Sequence, residues 1–244
     1  MPQSGEGRIK LFNDFAGVAE TLALTADTAQ IGDFFAGGEG FEDNDAGLAG
    51  KDALSGVVTI TSGNTDADTS FIGTHIAFDV ALMGTIVLEA RVQVPDLDDK
   101  EIFFGLTSIL SVDEQLEDIV INASGTTITM PADLVGFYLS SELTDDEDWH
   151  GIHNGGTTAG STTTTAVDLD DDAVAGEWQV LRLEISSNGT ALWYIDGVLK
   201  QTVTGAASTS TNMAVCLAAA ANTTELSIMD VDYLSVEANR DWTV

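Results

Sequence analysis

Polar and apolar positions alternate most regularly between Trp178 and Lys200, WQVLRLEISSNGTALWYIDGVLK. Leu181, Leu183 and Ile185 alternate with Arg182 and Glu184, the period-two pattern of a strand with one buried face. Ser186-Ser187-Asn188-Gly189 then breaks the run, and Asn-Gly predicts a hairpin turn because both residues tolerate positive φ. A second strand follows over Ala191–Ile195, and Asp196-Gly197 turns the chain into a third over Val198–Val203. Three strands joined by two tight turns make an antiparallel meander. Ile86–Val94 alternates as cleanly, with Ile86, Leu88, Ala90, Val92 and Val94 on one side, Val87, Glu89, Arg91 and Gln93 on the other, and Pro95 at its end.

The same pattern between Gly, Thr, Ser, Asn and Asp clusters predicts strands at Val57–Thr61, Ile76–Val80, Ile102–Thr107, Ile119–Asn122, Thr126–Met130, Val135–Ser140, Met213–Ala219 and Glu225–Glu237. In the last of these Leu226 and Ile228 share one face while Val231 and Tyr233 share the next apolar face, which predicts a bulge near Asp230. Helical periodicity is scarce; Asp14–Ala29 has room for a turn or two. Thr61–Ser70, Asn154–Val167 and Thr204–Asn212 read as surface loops. About a dozen strands in one chain imply an all-β fold, two stacked antiparallel sheets in a jelly-roll sandwich. It is read as a single domain over residues 1–244, with residues 1–8 as an N-terminal arm.

Charge then narrows the partners. Eight Lys and Arg face forty Asp and Glu, a formal charge of −32. Such a surface repels phosphate backbones and anionic lipid, so neither nucleic acid nor a membrane is an expected partner. It favours solubility and suits a salty medium that screens self-repulsion. No basic side chain stands between Lys100 and Arg182. The N-terminus MPQSGEGRIK lacks the apolar core of a signal peptide, and no run approaches the ~20 apolar residues of a membrane span. Cys216 is the one cysteine. It lies in an apolar run and reads as a small buried hydrophobe.

The residues Glu177-Trp178-x-x-Leu181-x-Leu183-x-Ile185, then Asn188-Gly189, then Tyr194-Ile195-Asp196-Gly197, resemble the concanavalin A-like lectin/glucanase (laminin-G-like) jelly rolls. Ile228–Val236 resembles the closing strand of that family, and Phe12-Asn13-Asp14-Phe15-x-Gly17 its opening strand, which the resemblance pairs with the closing one. In its Thr-, Ala- and Asp-rich texture the chain is also similar to members of that superfamily found as virion surface (decoration) proteins of tailed phages. The resemblance implies a fold more than an activity, because this architecture hosts lectins, glycosidases and structural modules alike.

The catalytic patterns are missing. The family's glucanases carry Glu-x-Asp-x-x-Glu on one strand, which sets a nucleophile and an acid about 5–5.5 Å apart. Glu-x-Asp occurs nowhere in this chain, and Asp113-Glu114-Gln-Leu-Glu117-Asp118 has a different spacing. There is no Gly-x-Ser-x-Gly elbow, and Cys216 has no basic neighbour in sequence to favour a thiolate. Two segments remain as candidate ligand sites. Asp145, Asp146 and Asp148 precede Trp149, His150 and His153, and acids beside an aromatic resemble a sugar-binding rim; the two histidines have a metal-ligand spacing. Asp168, Asp170 and Asp172 alternate and would share one face of an extended segment, an oxygen set that suits calcium. An EF-hand loop, however, needs Gly and Glu where Ala173 and Gln179 stand. The alternative is a solvated acidic loop for Asp168–Asp172 and a structural loop with a half-buried Trp for residues 145–153. His75 reads as structural.

The expectation is therefore a non-enzymatic phage virion structural protein on the virion surface, a capsid decoration protein or surface knob. Its partners would be a major capsid protein or other virion proteins and further copies of itself, as a trimer or dimer. No cofactor is expected unless calcium binds. The alternative is a carbohydrate-binding, lectin-like module that takes a host glycan, and a glycoside hydrolase ranks third.

Overall fold

The computed structural model describes residues 7–18, 28–43, 46–98, 100–222 and 224–240. Eighteen strands and three single-turn helices follow one another among them. The N-terminal half holds β1 (Arg8–Asn13), β2 (Ala29–Ile31), β3 (Phe34–Gly37), β4 (Gly47–Lys51), β5 (Val57–Thr61), β6 (Thr69–Gly73), α1 (Val80–Met83), β7 (Ile86–Gln93), β8 (Glu101–Thr107) and α2 (Leu116–Ile119). Next come β9 (Ile121–Ser124), β10 (Thr127–Thr129), β11 (Leu134–Ser140), β12 (Asp148–Asn154), α3 (Thr164–Val167) and β13 (Asp168–Asp172). The meander β14 (Trp178–Ile185), β15 (Ala191–Ile195) and β16 (Val198–Val203) precedes β17 (Ala214–Ala220) and β18 (Ile228–Asn239).

Two antiparallel sheets of eight strands each hold nearly all of these elements. Sheet A runs β16-β15-β14-β7-β18-β5-β4, with β1 also paired to β18. Sheet B runs β13-β12-β11-β8-β17-β6-β3-β2. The alternation in β7 and β14 has the predicted cause. Ile86, Leu88, Ala90 and Val92, together with Leu181, Leu183 and Ile185, are buried between the sheets. They meet Ile102, Phe104, Leu106, Val135, Phe137 and Leu139 from sheet B. The meander forms with Leu183 opposite Trp193 and Tyr194 opposite Leu199. Asp196 and Gly197 both take left-handed φ, 49° and 76°, in its second turn; in the first, Gly189 alone does so, at 77°. The opening strand pairs with the closing one, Arg8 opposite Asn239 through Asn13 opposite Leu234.

Strands β8, β11 and β17 are buried at every position, not at alternate ones. The cause is a second hydrophobic cluster on the outer face of sheet B. Phe71, Phe103, Leu134, Tyr138, Ile152, Cys216, Ala218 and Ala220 project from that face. Leu116, Ile119 and Val120 from α2, Ile128 from β10, Leu143 and Val167 close over them. Burial raises the Cys216 thiol pKa strongly, which leaves it an inert hydrophobe.

Several expectations change. Ile76–Val80 is no strand, because Asp79 caps α1 by accepting the Leu82 N–H at 3.0 Å. Ile119 ends α2, and the strand expected there begins at Ile121. The bulge in β18 lies between Val231 and Tyr233, two residues beyond the expected place, so Tyr233 faces outward while Leu234 and Val236 face the core. Of the expected N-terminal arm, Arg8 is already in β1; residues 1–6 lie outside the described residues, as do residues 19–27 of the expected helical segment. Asp148–Asn154 and Asp168–Asp172, expected as loops, are strands of sheet B. No helix among the described residues is long and apolar enough to cross a membrane.

Candidate functional site

The acidic segments singled out from the sequence do meet, at the β12–β13 end of sheet B. Asp148 stands opposite Asp172 and His150 opposite Asp168. Burial first, then a side-chain hydrogen bond with Asp172 and the charges of Asp168, Asp172 and Asp145, pushes the Asp148 carboxyl up to about 7. Asp148 therefore holds its proton up to about neutrality. Asp171 pairs with Lys200 at 2.6 Å, and the Lys200 ammonium also donates to the Asp170 carbonyl at 3.1 Å.

The sugar-rim reading of Trp149 does not survive. In β12 Trp149 points between the sheets and is fully buried, its ring edge-on to Phe137 at 6.3 Å and its indole N–H bonded to Gln179 Oε1 at 2.9 Å. The strand period explains this: Trp149, Gly151 and His153 take the inner side, while Asp148, His150 and Ile152 take the outer one. His153 packs beside Trp193 at 6.2 Å, so His150 and His153 lie on opposite faces and do not share a metal. Both rings are buried, and desolvation holds both below the usual histidine range, so they are neutral. Asp145 and Asp146 sit in the turn before β12, Asp146 exposed.

The alternation on which the calcium reading of Asp168, Asp170 and Asp172 rested is broken in the backbone. Asp170 takes a left-handed φ of 51°, which breaks the alternation that would have aligned the three carboxylates. Its N–H instead takes up Asp168 Oδ1 at 2.7 Å. Among the described residues no three His, Cys, Asp or Glu side chains converge as a metal site. His75 stacks on Phe35 at 4.9 Å, in keeping with a structural role.

One buried acid escaped the sequence reading. Glu101 opens β8 on the outer face of sheet B and is 2% exposed. Tyr138, adjacent on β11, donates its hydroxyl to Glu101 Oε1 at 2.6 Å. Burial, with Glu117, Glu142 and Asp66 adding negative charge, raises Glu101 to about 8, so it is protonated at neutral pH. The covering segments are tied over this face. Leu116 N–H bonds Thr69 Oγ1 at 2.9 Å, and Ile128 N–H bonds the Thr162 carbonyl at 2.8 Å. Surface depressions of about 200 and 380 Å³ lie on sheet A, and one of about 360 Å³ lies beside it near Leu54.

No protein-family model and no curated protein matches the chain. Solved structures do. A protein of unknown function from Shewanella oneidensis MR-1 aligns over 98% of this chain and 89% of its own, with 12% identity and a TM-score of 0.61. The carbohydrate recognition domain of Emp46p aligns over 96% and 99% of the two chains, with 12% identity and a TM-score of 0.52. A family 16 endo-glucanase from Bacteroides ovatus aligns over 92% and 98%, with 10% identity and a TM-score of 0.50.

The fold is the concanavalin A-like lectin/glucanase jelly roll. On this concanavalin A-like sandwich the strand signatures read from Trp178–Gly197 and Ile228–Val236 are structural elements of sheet A. The Glu-x-Asp-x-x-Glu pattern has no counterpart, and Glu101 stands alone on its strand under an apolar cover.

Proposed function

We propose that this jelly roll is a non-enzymatic virion surface protein, a phage capsid decoration protein or surface knob that works by presenting faces to neighbouring proteins. The observation that carries the non-enzymatic reading is the filled outer face of sheet B. Small-molecule sites are concave and open. Here the chain's own α2, β10 and α3 occupy that face, and the Glu101 carboxyl buried there is held by Tyr138. A general acid must reach the group it protonates, and Glu101 reaches no solvent.

The virion reading draws support from the charge. A formal −32 suits a particle exterior facing salt water and away from packaged nucleic acid. The texture of the chain, similar to phage virion proteins of this superfamily, supports the same reading. Its partners would be the major capsid protein or other virion proteins. The lectin-like alternative loses its sugar rim with the burial of Trp149. The test is immunogold labelling of intact particles with antibody to the chain. Regular labelling of the surface supports the proposal, and unlabelled particles from cells that make the chain reject it.

A further inference from the structure

The basic residues of this acidic chain are gathered on one face. Arg8, Lys10, Lys51, Arg91 and Arg182 are five of its eight Lys and Arg and lie on the strands of sheet A; Lys200, on β16 of the same sheet, pairs instead with Asp171 of sheet B. Lys10 pairs with Glu237 at 2.6 Å, Lys51 with Asp230 at 2.5 Å and Arg91 with Asp232 at 2.6 Å. Arg182 bridges Glu89 at 2.8 Å and Glu184 at 2.7 Å. Four of these bases thus pair with five carboxylates, and with Arg8 the described residues of the outer face of sheet A sum to zero formal charge. The other 35 acidic and three basic residues carry the whole −32.

The same face is amphipathic. Phe12 is 49% exposed and stacks on Tyr233 at 6.2 Å, and the Tyr233 hydroxyl donates to Glu89 at 2.9 Å. The guanidinium of Arg91 lies 4.7 Å from the centre of the Trp178 ring. Leu199, 48% exposed, extends the apolar surface toward the edge at β16.

We infer that the outer face of sheet A is the docking surface for a second copy of this chain, face to face about a two-fold axis. Electrostatics selects the occupant. The residues off this face carry the net negative charge, so copies that approach through them repel on average. This face, neutral among the described residues, meets its own image without net repulsion, and its alternating Lys10–Glu237 and Arg182–Glu89 pairs let each cation find a carboxylate on the other copy. The face is large enough. Strands about 4.8 Å apart and about 20 Å long give roughly 700 Å² per copy across the sheet, close to the ~800 Å² per partner of a standard interface. The charge elsewhere sets the salt dependence. At low salt the two −32 bodies repel over a long Debye length, and salt screens that repulsion, so association strengthens as salt rises.

Sedimentation velocity on the full chain tests this. The wild type sediments as a dimer at tens of micromolar in about 0.3 M NaCl and dissociates at about 0.01 M. Lys10→Glu and Phe12→Ser, both on exposed side chains, weaken the dimer at least tenfold with the melting temperature unchanged. Val112→Glu, which adds a negative charge at an exposed position in the loop between β8 and α2 on sheet B, leaves it intact. A wild type that stays monomeric at 100 µM in 0.3 M NaCl overturns the inference. So does a trimer, or a dimer indifferent to Lys10→Glu and Phe12→Ser. The immunogold experiment is indifferent to all of these outcomes, so the two proposals fail separately.

Discussion

Tyr138 donates a 2.6 Å hydrogen bond to Glu101 across neighbouring strands of sheet B, and both side chains are buried on the face that the chain itself has covered. The acid is raised from 4.5 to about 8, chiefly by desolvation. A raised acid binds its proton more tightly folded than unfolded, so its stabilising effect is complete below about pH 4.5 and is lost as pH rises toward 8. Melting temperature is expected to fall across that window. Glu101→Gln, which keeps the shape without the charge, flattens the profile and raises the melting temperature by several degrees at pH 8–9 while leaving pH 4–5 nearly unchanged. Equal slopes in both proteins would show that Glu101 is ionised and solvated.

The Asp148–Asp172 pair acts in the same direction over a nearby range. Asp148 is raised to about 7 and hydrogen-bonds Asp172. Asp172→Asn removes one of the two competing charges and returns Asp148 toward the ordinary carboxylate range. Carboxyl-carbon NMR titration of Asp148 reads this directly, as a midpoint falling by at least one pH unit.

Trp149→Ala is expected to act on stability. The side chain fills the space beside Phe137 and bonds Gln179. Truncating a buried Trp costs about 3–5 kcal/mol, a fall in melting temperature of roughly 10 °C for a chain of this size. Trp149→Phe keeps most of the packing and loses the bond to Gln179, about 1 kcal/mol. Thermal or urea denaturation orders the three proteins.

The apolar cover is testable at Leu116, which lies on the outer face of sheet B among Ile119, Val120 and Phe71. Leu116→Ala costs about 2–5 kcal/mol through the cavity it leaves. If the cover seals the face, the variant also exposes apolar surface and binds a hydrophobic dye that the wild type does not. Unchanged dye binding and stability would mean that the cover is loose.

Calcium is expected to raise the melting temperature no more than magnesium at the same millimolar concentration, because the left-handed backbone at Asp170 breaks the alternation of Asp168, Asp170 and Asp172. A shift specific to calcium in differential scanning fluorimetry contradicts this geometry.

The sandwich was legible where one face is buried and one wet. In β7 and β14 the period of two survives, and Asp196-Gly197 marks its turn by chemistry. β12 was misread because Trp149 and His153 face inward while Asp148 and His150 face outward, so polar and aromatic residues occur on both sides and no apolar alternation remains. The acidic run Asp168–Asp172 looked like a loop because nothing local shows that it hydrogen-bonds to β12 at a sheet edge. Glu101 was missed for a different reason. Its burial depends on α2 and β10, distant in sequence from β8, and a glutamate at the start of EIFFG carries no mark of the segments that cover it. The neutral face of sheet A is likewise invisible locally. Arg8, Lys10, Lys51, Arg91 and Arg182 are scattered over 175 positions and become a group only when β1, β4, β7, β14 and β18 are side by side.

Quantitative mass spectrometry of gradient-purified virions, with the chain measured against the major capsid protein, tests the central claim most directly. A protein built to present its faces to a particle remains through high-salt washing at a fixed, symmetric copy number per capsid. Its absence from the washed particles, or a trace amount that varies between preparations, would contradict the account.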